Sequence, residues 1–456
     1  MGLSAAIAGL PNALRWLERL PKEHIRIFKA LVTVAILVAM AKGVGAAKEM
    51  AVASRYGTGP IIDAYVFTLA LVTWPVTAWV GVTTVTLIPT MIGLGGANAR
   101  SADRFRREFI GVTLLIGVLF GVVTGAVLAF GAHAGLFGLA RPVSSLVEAI
   151  AAPMSLLAPL GMIVGLLSSL LMASHRHTNS LLDGVPPLVI MIAVIAFPRG
   201  SGPIVLGSVA GVALQALASA LVQPPQWRDV RPAFSMQSEH WPSFWKNFGV
   251  VLLGEILITA TGVVDQLSVA RLDASSNAVL SYANRLIALM TALGATAIAR
   301  AALPVFAEVR AAGDGREWAL SMRWAALLFG AGLAAAAAAW LLAPLGVRLL
   351  FQRGAFSAYD TKAVTQAVQF GLIQLPFYFS AITLAQIMAG TMNYRAFLQS
   401  NILAFTGKLA CNILLTPVLG LRGVLIGTAV MYTISLAYLW SVASSGRRRA
   451  LKAQRT

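Results

Sequence analysis

An apolar run that carries three charges decides the fold: residues 30–52, ALVTVAILVAMAKGVGAAKEMAV. The run is long enough to cross a bilayer as an α-helix, which takes about 20 residues, and it contains no turn signal. It nevertheless includes Lys42, Lys48 and Glu49. A charged side chain at mid-bilayer costs from about 2.5 to more than about 10 kcal/mol, so intramembrane ions usually mark functional sites. We therefore expect this helix to present Lys42 and Glu49 to protein or water.

The whole sequence has the composition of a polytopic membrane protein. Its 456 residues are 58% hydrophobic and only 11% charged, which is too apolar for an ordinary soluble core. Long apolar windows recur, whereas barrel strands would alternate over about ten residues. The pattern predicts an all-α protein with about 12 transmembrane helices. The expected spans are 28–53, 64–94, 109–131, 147–173, 181–197, 203–222, 245–269, 278–304, 320–343, 365–390, 397–417 and 422–443.

The formal net charge of +18 indicates membrane topology rather than nucleic-acid binding, because the basic residues cluster in alternate loops. Short cytoplasmic loops hold the excess of Lys and Arg in membrane proteins. Only the loop from Pro344 to Lys362 breaks this pattern, with three basic residues. The asymmetry predicts that both termini are cytoplasmic, an N-in and C-in arrangement. The richest clusters are Arg100, Arg104, Arg106 and Arg107, then Arg228 and Arg231, then Arg310, Arg316 and Arg323, and finally Arg447, Arg448, Arg449 and Lys452.

Weak internal similarities indicate two related halves. Residues 171–174, LMAS, resemble residues 387–390, IMAG, and residues 205–210, VLGSVA, resemble residues 425–429, LIGTA. A shared offset of roughly 220 residues favours a duplication of six helices, in parallel orientation because six is even. The expected division is a cytoplasmic amphipathic segment at 1–27, an N-lobe at 28–222, a cytoplasmic linker at 223–244, a C-lobe at 245–443 and a basic cytoplasmic tail at 444–456.

The second half carries its own intramembrane charges. Glu255 and Asp265 lie in the seventh predicted span, Arg285 in the eighth and Lys408 in the eleventh. We expect Asp265 to be able to pair with Arg285 across neighbouring helices. Basic residues that face a cavity suit an anionic head group such as a phosphate or pyrophosphate. Because their excess over carboxylates is small, Glu255, Asp265 and Lys408 also remain candidates for ion coupling.

No pattern in the sequence indicates an enzyme. There is no P-loop, nucleophile elbow or metal-binding cluster, and His175 and His177 fit a polar turn better than a metal site. The single cysteine, Cys411, lies in an apolar run and can form no intrachain disulfide. We therefore predict a transporter without catalytic residues, metal or cofactor.

Three stretches resemble the MurJ (MviN-like) lipid II flippase family of the multidrug/oligosaccharidyl-lipid/polysaccharide (MOP) exporter superfamily. They run in the same order and spacing as in that family. They are residues 42–65, KGVGAAKEMAVASRYGTGPIIDAY, then residues 281–286, SYANRL, and residues 350–356, LFQRGAF.

The resemblance implies two six-helix lobes, similar to those of MATE transporters, which rock to give alternating access to a central cavity. It also implies that five residues face this cavity: Lys42, Lys48, Glu49, Asp63 and Arg285. In the family, arginines are usual at the two lysine positions, and the second helix usually carries charges. Here residues 73–81, TWPVTAWVG, are uncharged, and the sequence ends at Thr456, whereas family members commonly have two further helices.

The leading functional expectation is a flippase in the bacterial inner membrane. It would move a polyprenyl-(pyro)phosphate-linked glycan, lipid II or another cell-envelope saccharide precursor, to the periplasmic leaflet. Its partners would be that substrate, membrane lipids, a coupling ion (H⁺ or Na⁺) and envelope-biosynthesis enzymes, but no nucleic acid. One alternative is an ion-coupled drug or metabolite antiporter that uses Glu255 and Asp265. The other is a non-transporting membrane scaffold, which the cost of burying ions disfavours.

Overall fold

The computed structural model describes residues 40–94, 99–174, 179–225, 231–311, 317–390 and 394–453. Within these ranges the chain is helical and contains no β-strand. The predicted amphipathic segment 1–27, the beginning of the first predicted span, and the turn with His175 and His177 lie outside the described residues.

The helices follow one another with short connections. The first, α1, covers residues 40–56 of the described chain. The others are α2 Pro60–Leu94, α3 Ala99–His133, α4 Arg141–Ser155, α5 Leu157–Ala173, α6 Asn179–Leu182, α7 Val185–Ala196, α8 Ser201–Leu221, α9 Trp241–Val269, α10 Ser276–Ala311, α11 Glu317–Phe351, α12 Ala358–Gly371, α13 Leu375–Gly390, α14 Tyr394–Leu419 and α15 Leu421–Ala453. A 3₁₀ turn, Leu372–Gln374, joins α12 to α13.

Each predicted span coincides with a helix or with a pair of consecutive helices. In the described ranges, eight helices are long and apolar enough to cross a membrane, or nine spans if the bent pair α4 and α5 counts as one. That pair bends by 41°, close to Pro153. The remaining predicted spans correspond to α1, to the short apolar helix α7 and to α10, which carries more charge.

With α1, α7 and α10 counted as spans, the helices of the described ranges form two lobes of six spans each. In the first lobe α2 packs against α4 and α5, and α7 packs against α8. In the second lobe α14 packs against α15, α11 against α13, and α10 against α12. Small residues allow the close approach of helices that is common in membranes. At Gly161 and Gly165 of α5, an added Cβ atom would collide with Val76 and Val80 of α2.

Helix α9 contacts both lobes. It begins at Trp241 rather than near residue 245 as predicted, with a proline in its first turn, where the missing N–H costs nothing. Trp241 stacks on Phe109 of α3, with ring centroids 5.8 Å apart, and Phe248 meets Trp79 of α2 at 5.8 Å. The other end of α9 packs against α14 of the second lobe.

The segment that leads into α9 is held by one buried carboxylate of the first lobe. Glu108 of α3 is fully buried. It accepts hydrogen bonds from the Ser235 hydroxyl at 2.8 Å, the Ser238 N–H at 3.0 Å and the Trp241 indole N–H at 2.8 Å. Arg104 pairs with the same carboxylate at 3.2 Å. These donors offset the cost of burying the charge.

Candidate substrate-binding site

Three predicted site residues form one cluster between the lobes. The Glu49 carboxylate on α1 pairs with the Lys48 ammonium and with the Arg285 guanidinium on α10. Their side chains are 14% (Lys48), 16% (Glu49) and 26% (Arg285) exposed, so solvent or a ligand can reach each of them. Arg285 also lies 5.4 Å from the ring centre of Tyr282, within range of a cation–π interaction.

The cluster has an excess of positive charge, because two cations share one carboxylate. Charge-assisted hydrogen bonds from lysine and arginine to phosphate oxygens are among the strongest that proteins make. The guanidinium can bind such an anion with two parallel N–H groups, whereas the ammonium acts as a point charge. The arrangement is therefore suited to binding an anionic head group.

Next to this cluster the two lobes contact each other through their backbones. The Ala355 N–H donates to the Ser54 carbonyl at 2.7 Å, and the Tyr282 hydroxyl donates to the Gly57 carbonyl at 3.1 Å. Gly57 has φ +58° and Gly354 has φ +59°. A Cβ atom at either glycine would collide with the backbone of the opposite lobe. Glycine is thus required at both positions for this end of the protein to close.

Asp63 binds the second lobe at a helix N-terminus rather than in the Lys48 cluster. Its carboxylate accepts a hydrogen bond from the Ala278 N–H at 2.8 Å and is buried. A carboxylate at this position satisfies a free N–H of α10 and interacts favourably with the helix dipole. Nearby, the Thr58 hydroxyl donates to Asp360 at 2.5 Å.

Lys42 is separate from the cluster, although it lies on the same helix. Its side chain is exposed and lies close enough to Asp183 for the two charges to interact. Asp183 also accepts a hydrogen bond from the Gln215 amide at 3.1 Å. The structure therefore associates Lys42 with the first lobe alone.

Glu255 lies at a second contact between the lobes. It is half-buried on α9, and its carboxyl group packs over Gly81 of α2, where an added Cβ would overlap it. The absence of a side chain at Gly81 makes room for this carboxyl group between the helices.

Asp265 pairs with Lys408, so the expected pairing with Arg285 was wrong. The Lys408 ammonium lies 2.6 Å from the Asp265 carboxylate, while Arg285 binds Glu49 instead. The Asn412 amide also donates to Asp265, at 2.9 Å. This network lies within the second lobe and joins α9 to α14.

Sequence comparison identifies the family. A model of the family described as "Lipid II flippase MurJ" matches residues 52–454. The chain belongs to this family. A MurJ-family protein of Rhizobium tropici, named "Probable lipid II flippase MurJ", is 28% identical over 197 residues, which cover 42% of this chain and 37% of that relative. The aligned region thus spans little more than a third of the relative's length.

Solved structures share the fold of this MurJ-family chain. One, titled "Lipid II flippase MurJ, inward closed conformation", has a TM-score of 0.78 at 17% identity and covers 92% of this chain and 90% of its own. An inward-facing multidrug resistance MATE family transporter of the MOP superfamily has a TM-score of 0.66 at 15% identity, covering 92% and 95%. The expected family and the two-lobe fold are confirmed, and the family is one of transporters rather than enzymes.

Several residues at the lobe contacts of this MurJ-family chain had no predicted role. Ser54, Gly57, Tyr282 and Gly354 lie in the three stretches that carried the family resemblance, but their roles depend on backbone atoms of the opposite lobe. Glu108 lies in a basic cluster that indicated only topology. In the part of the chain that the structure describes, no group of His, Cys, Asp and Glu could hold a metal ion.

Proposed function

We propose that the chain is a bacterial inner-membrane flippase that moves a polyprenyl-(pyro)phosphate-linked glycan from the cytoplasmic to the periplasmic leaflet. The observation that carries the proposal is the cationic cluster of Lys48 and Arg285, which share Glu49 where the lobes meet. Membership of a family described as lipid II flippases supports it. The predicted cytoplasmic N-terminus supports placing the closed end on the periplasmic side, because Gly57 lies in the loop after the first span.

In this proposal the phosphate competes with Glu49 for its two cations. Glu49 and Arg285 belong to different lobes, so an anion that takes over Arg285 weakens one contact between the lobes. Substrate binding thereby favours separation of the lobes at this end, while the prenyl tail stays in lipid. A ligand shifts such an equilibrium only through its different affinity for the two states.

The proposed substrate class is wider than lipid II. Lys48 holds charge without the bidentate geometry of arginine, and residues 73–81 of α2 are uncharged. Both features favour a site that recognises a phosphate without demanding one particular glycan. Enzymes that build or consume the lipid-linked glycan on either side of the membrane are the expected partners.

The test is complementation of a strain that lacks this protein, measured as lipid-linked glycan that accumulates on the cytoplasmic leaflet. We expect Arg285→Ala and Lys48→Ala each to reduce transport by about tenfold or more, the value of one charge-assisted hydrogen bond. Lys362→Ala removes an exposed cation of α12 and is the matched control, with transport unchanged. Full transport by both cluster variants would contradict the proposal.

A second candidate is an ion-coupled antiporter of drugs or metabolites. The observation that favours it is the half-buried carboxyl of Glu255 between α9 and α2, since carboxylates within membrane helices often carry protons. Under this candidate, Glu255→Gln abolishes efflux of a cationic dye while glycan transport is unaffected. Unchanged dye resistance in the strain that lacks the protein would exclude it.

A further inference from the structure

The Lys408 ammonium is enclosed by oxygen atoms inside the second lobe. The side chain is fully buried. Its Nζ atom lies 2.6 Å from an Asp265 carboxylate oxygen, 2.6 Å from the Thr428 hydroxyl and 2.9 Å from the Val424 carbonyl. An ammonium has three N–H donors. These three acceptors therefore satisfy it completely.

The same set of oxygen atoms is chemically suited to a small inorganic cation. Dehydrated alkali and alkaline-earth cations bind carboxylate, hydroxyl and backbone carbonyl oxygens. Ion sites in transporters use carboxylates together with backbone carbonyls near the bilayer midplane. A carboxylate from α9 (Asp265) converges here with a carbonyl and a hydroxyl from α15 (Val424 and Thr428). In this protein the positive charge at their centre is the Lys408 ammonium, which belongs to a side chain of α14.

A fourth oxygen atom lies beside the site without a hydrogen bond. The Asn412 amide nitrogen donates to Asp265 at 2.9 Å and to Ser268 at 3.0 Å. Its amide oxygen is buried and has no hydrogen-bond partner within the described ranges. That oxygen faces Gly427, which also lies beside the Lys408 stem. It is a buried acceptor that the three N–H groups of Lys408 leave unused.

A crevice lies beside this network. It lies between α9 and α14, has a volume of about 450 Å³ and is lined by Ser268, Asn412, Thr416 and Arg271 among others. Asn412 is therefore both a wall of the crevice and a hydrogen-bond donor to Asp265.

We propose that Lys408 is a tethered cation that fills a monovalent-cation site built by Asp265, Val424 and Thr428. A positive charge then holds α9, α14 and α15 together. The protein itself supplies this charge through Lys408, and no ion from solution is needed for it. The wild-type protein consequently needs no Na⁺ at this site. Without the ammonium, and with space left in its place, the same oxygens bind Na⁺.

The experiment compares the melting temperature of the purified full-length protein in equal concentrations of NaCl and choline chloride. We expect no difference for the wild type. Lys408→Ala removes the charge and leaves space, so Na⁺ should raise its Tm by about 3 °C or more when the site is saturated. Lys408→Met also removes the charge but fills the space, so Na⁺ should not raise its Tm. Lys408→Ala combined with Asp265→Asn should lose the response to Na⁺.

Two results would overturn the proposal. One is a saturable Na⁺-specific rise in Tm for the wild type, which would mean that a diffusible ion already binds with Lys408 in place. The other is a Lys408→Ala protein that shows no gain from Na⁺, or that cannot be recovered folded even when NaCl is present throughout purification. Because the readout is ion binding, neither result depends on whether the chain transports a lipid-linked glycan.

Discussion

The two ion clusters differ in where their partners lie. Asp265 and Lys408 belong to one lobe and are buried with every ammonium proton bound. Lys48, Glu49 and Arg285 connect two lobes, remain partly exposed and carry one surplus positive charge. A neutral, fully bonded pair is suited to holding helices together, because removing one partner is expensive. A charged, accessible cluster between lobes is suited to exchanging partners.

This contrast predicts different effects for the two clusters. Changes at Asp265 and Lys408 should alter the free energy of unfolding, whereas changes at Lys48, Glu49 and Arg285 should alter the fraction of molecules in which the lobes are closed at this end.

Lys408→Ala should lower the free energy of unfolding by about 3–5 kcal/mol, because it leaves Asp265 as an uncompensated buried charge. The measurement is denaturant unfolding in detergent with choline chloride as the only salt. Lys48→Ala is the comparison and should cost about 1 kcal/mol, since Glu49 keeps its pair with Arg285. Equal losses for the two variants would remove the distinction between the clusters.

Glu49→Gln should open the closed end without unfolding either lobe. It leaves Lys48 and Arg285 as neighbouring cations and removes about 2 kcal/mol of charged hydrogen bonding. The equilibrium between closed and open lobes should therefore shift about thirty-fold towards the open form. The readout is disulfide crosslinking of Thr58→Cys with Asp360→Cys, whose native side chains are 2.5 Å apart, in a Cys411→Ser background. An unaltered crosslinking yield would show that this cluster does not hold the lobes.

Gly354→Ala should reduce the same crosslinking yield by a smaller factor. Alanine at φ +59° is strained, and its Cβ would collide with Ser54, at a cost of about 1–2 kcal/mol. Gly346→Ala, in α11, is the matched control because nothing lies near its Cβ position. It should leave the yield unchanged. A reduction in both variants would indicate a general effect on the lobe instead of a local one.

Asp63→Asn should have the smallest effect, about 0.5 kcal/mol on closure, because asparagine caps a helix almost as well and loses only the interaction with the dipole. Asp63→Ala also removes the acceptor for the Ala278 N–H and should cost about 1–2 kcal/mol. Crosslinking yields of the two variants provide the measurement. If Asp63→Asn reduced the crosslinking yield as much as Asp63→Ala does, the charge of Asp63 would contribute more to closure than its role as a helix cap explains.

Hydropathy predicted the order and approximate limits of the spans because lipid imposes the same length and polarity on every crossing helix. The gathering of Lys48, Glu49 and Arg285 followed from family resemblance and from the cost of isolated charges. The partner of Asp265 could not be predicted in this way. Arg285 and Lys408 were both cations on neighbouring helices, and only the rotation and packing of α9 against α14 selects between them.

The backbone contacts between the lobes could not be predicted from residue types either. The glycines at 57 and 354 were visible in the sequence, but their need for positive φ appears only when Ser54 and Ala355 of opposite lobes approach each other. The sequence predicts the start of α9 four residues too late. The helix begins earlier because Trp241 and Phe244 pack against the first lobe rather than against lipid.

The buried carboxylate of Glu108 also bears on how the protein is made. The residues that it binds, from Ser235 to Trp241, leave the ribosome after the six spans of the first lobe and before the six spans of the second. The first lobe can therefore capture the beginning of α9 before its partners in the second lobe exist. We expect nascent chains that end shortly after α9 to show this docking already, with Trp241 shielded from a water-soluble quencher, and to lose it in Glu108→Ala. The N-terminal half would then serve as an assembly platform for the C-terminal half during synthesis.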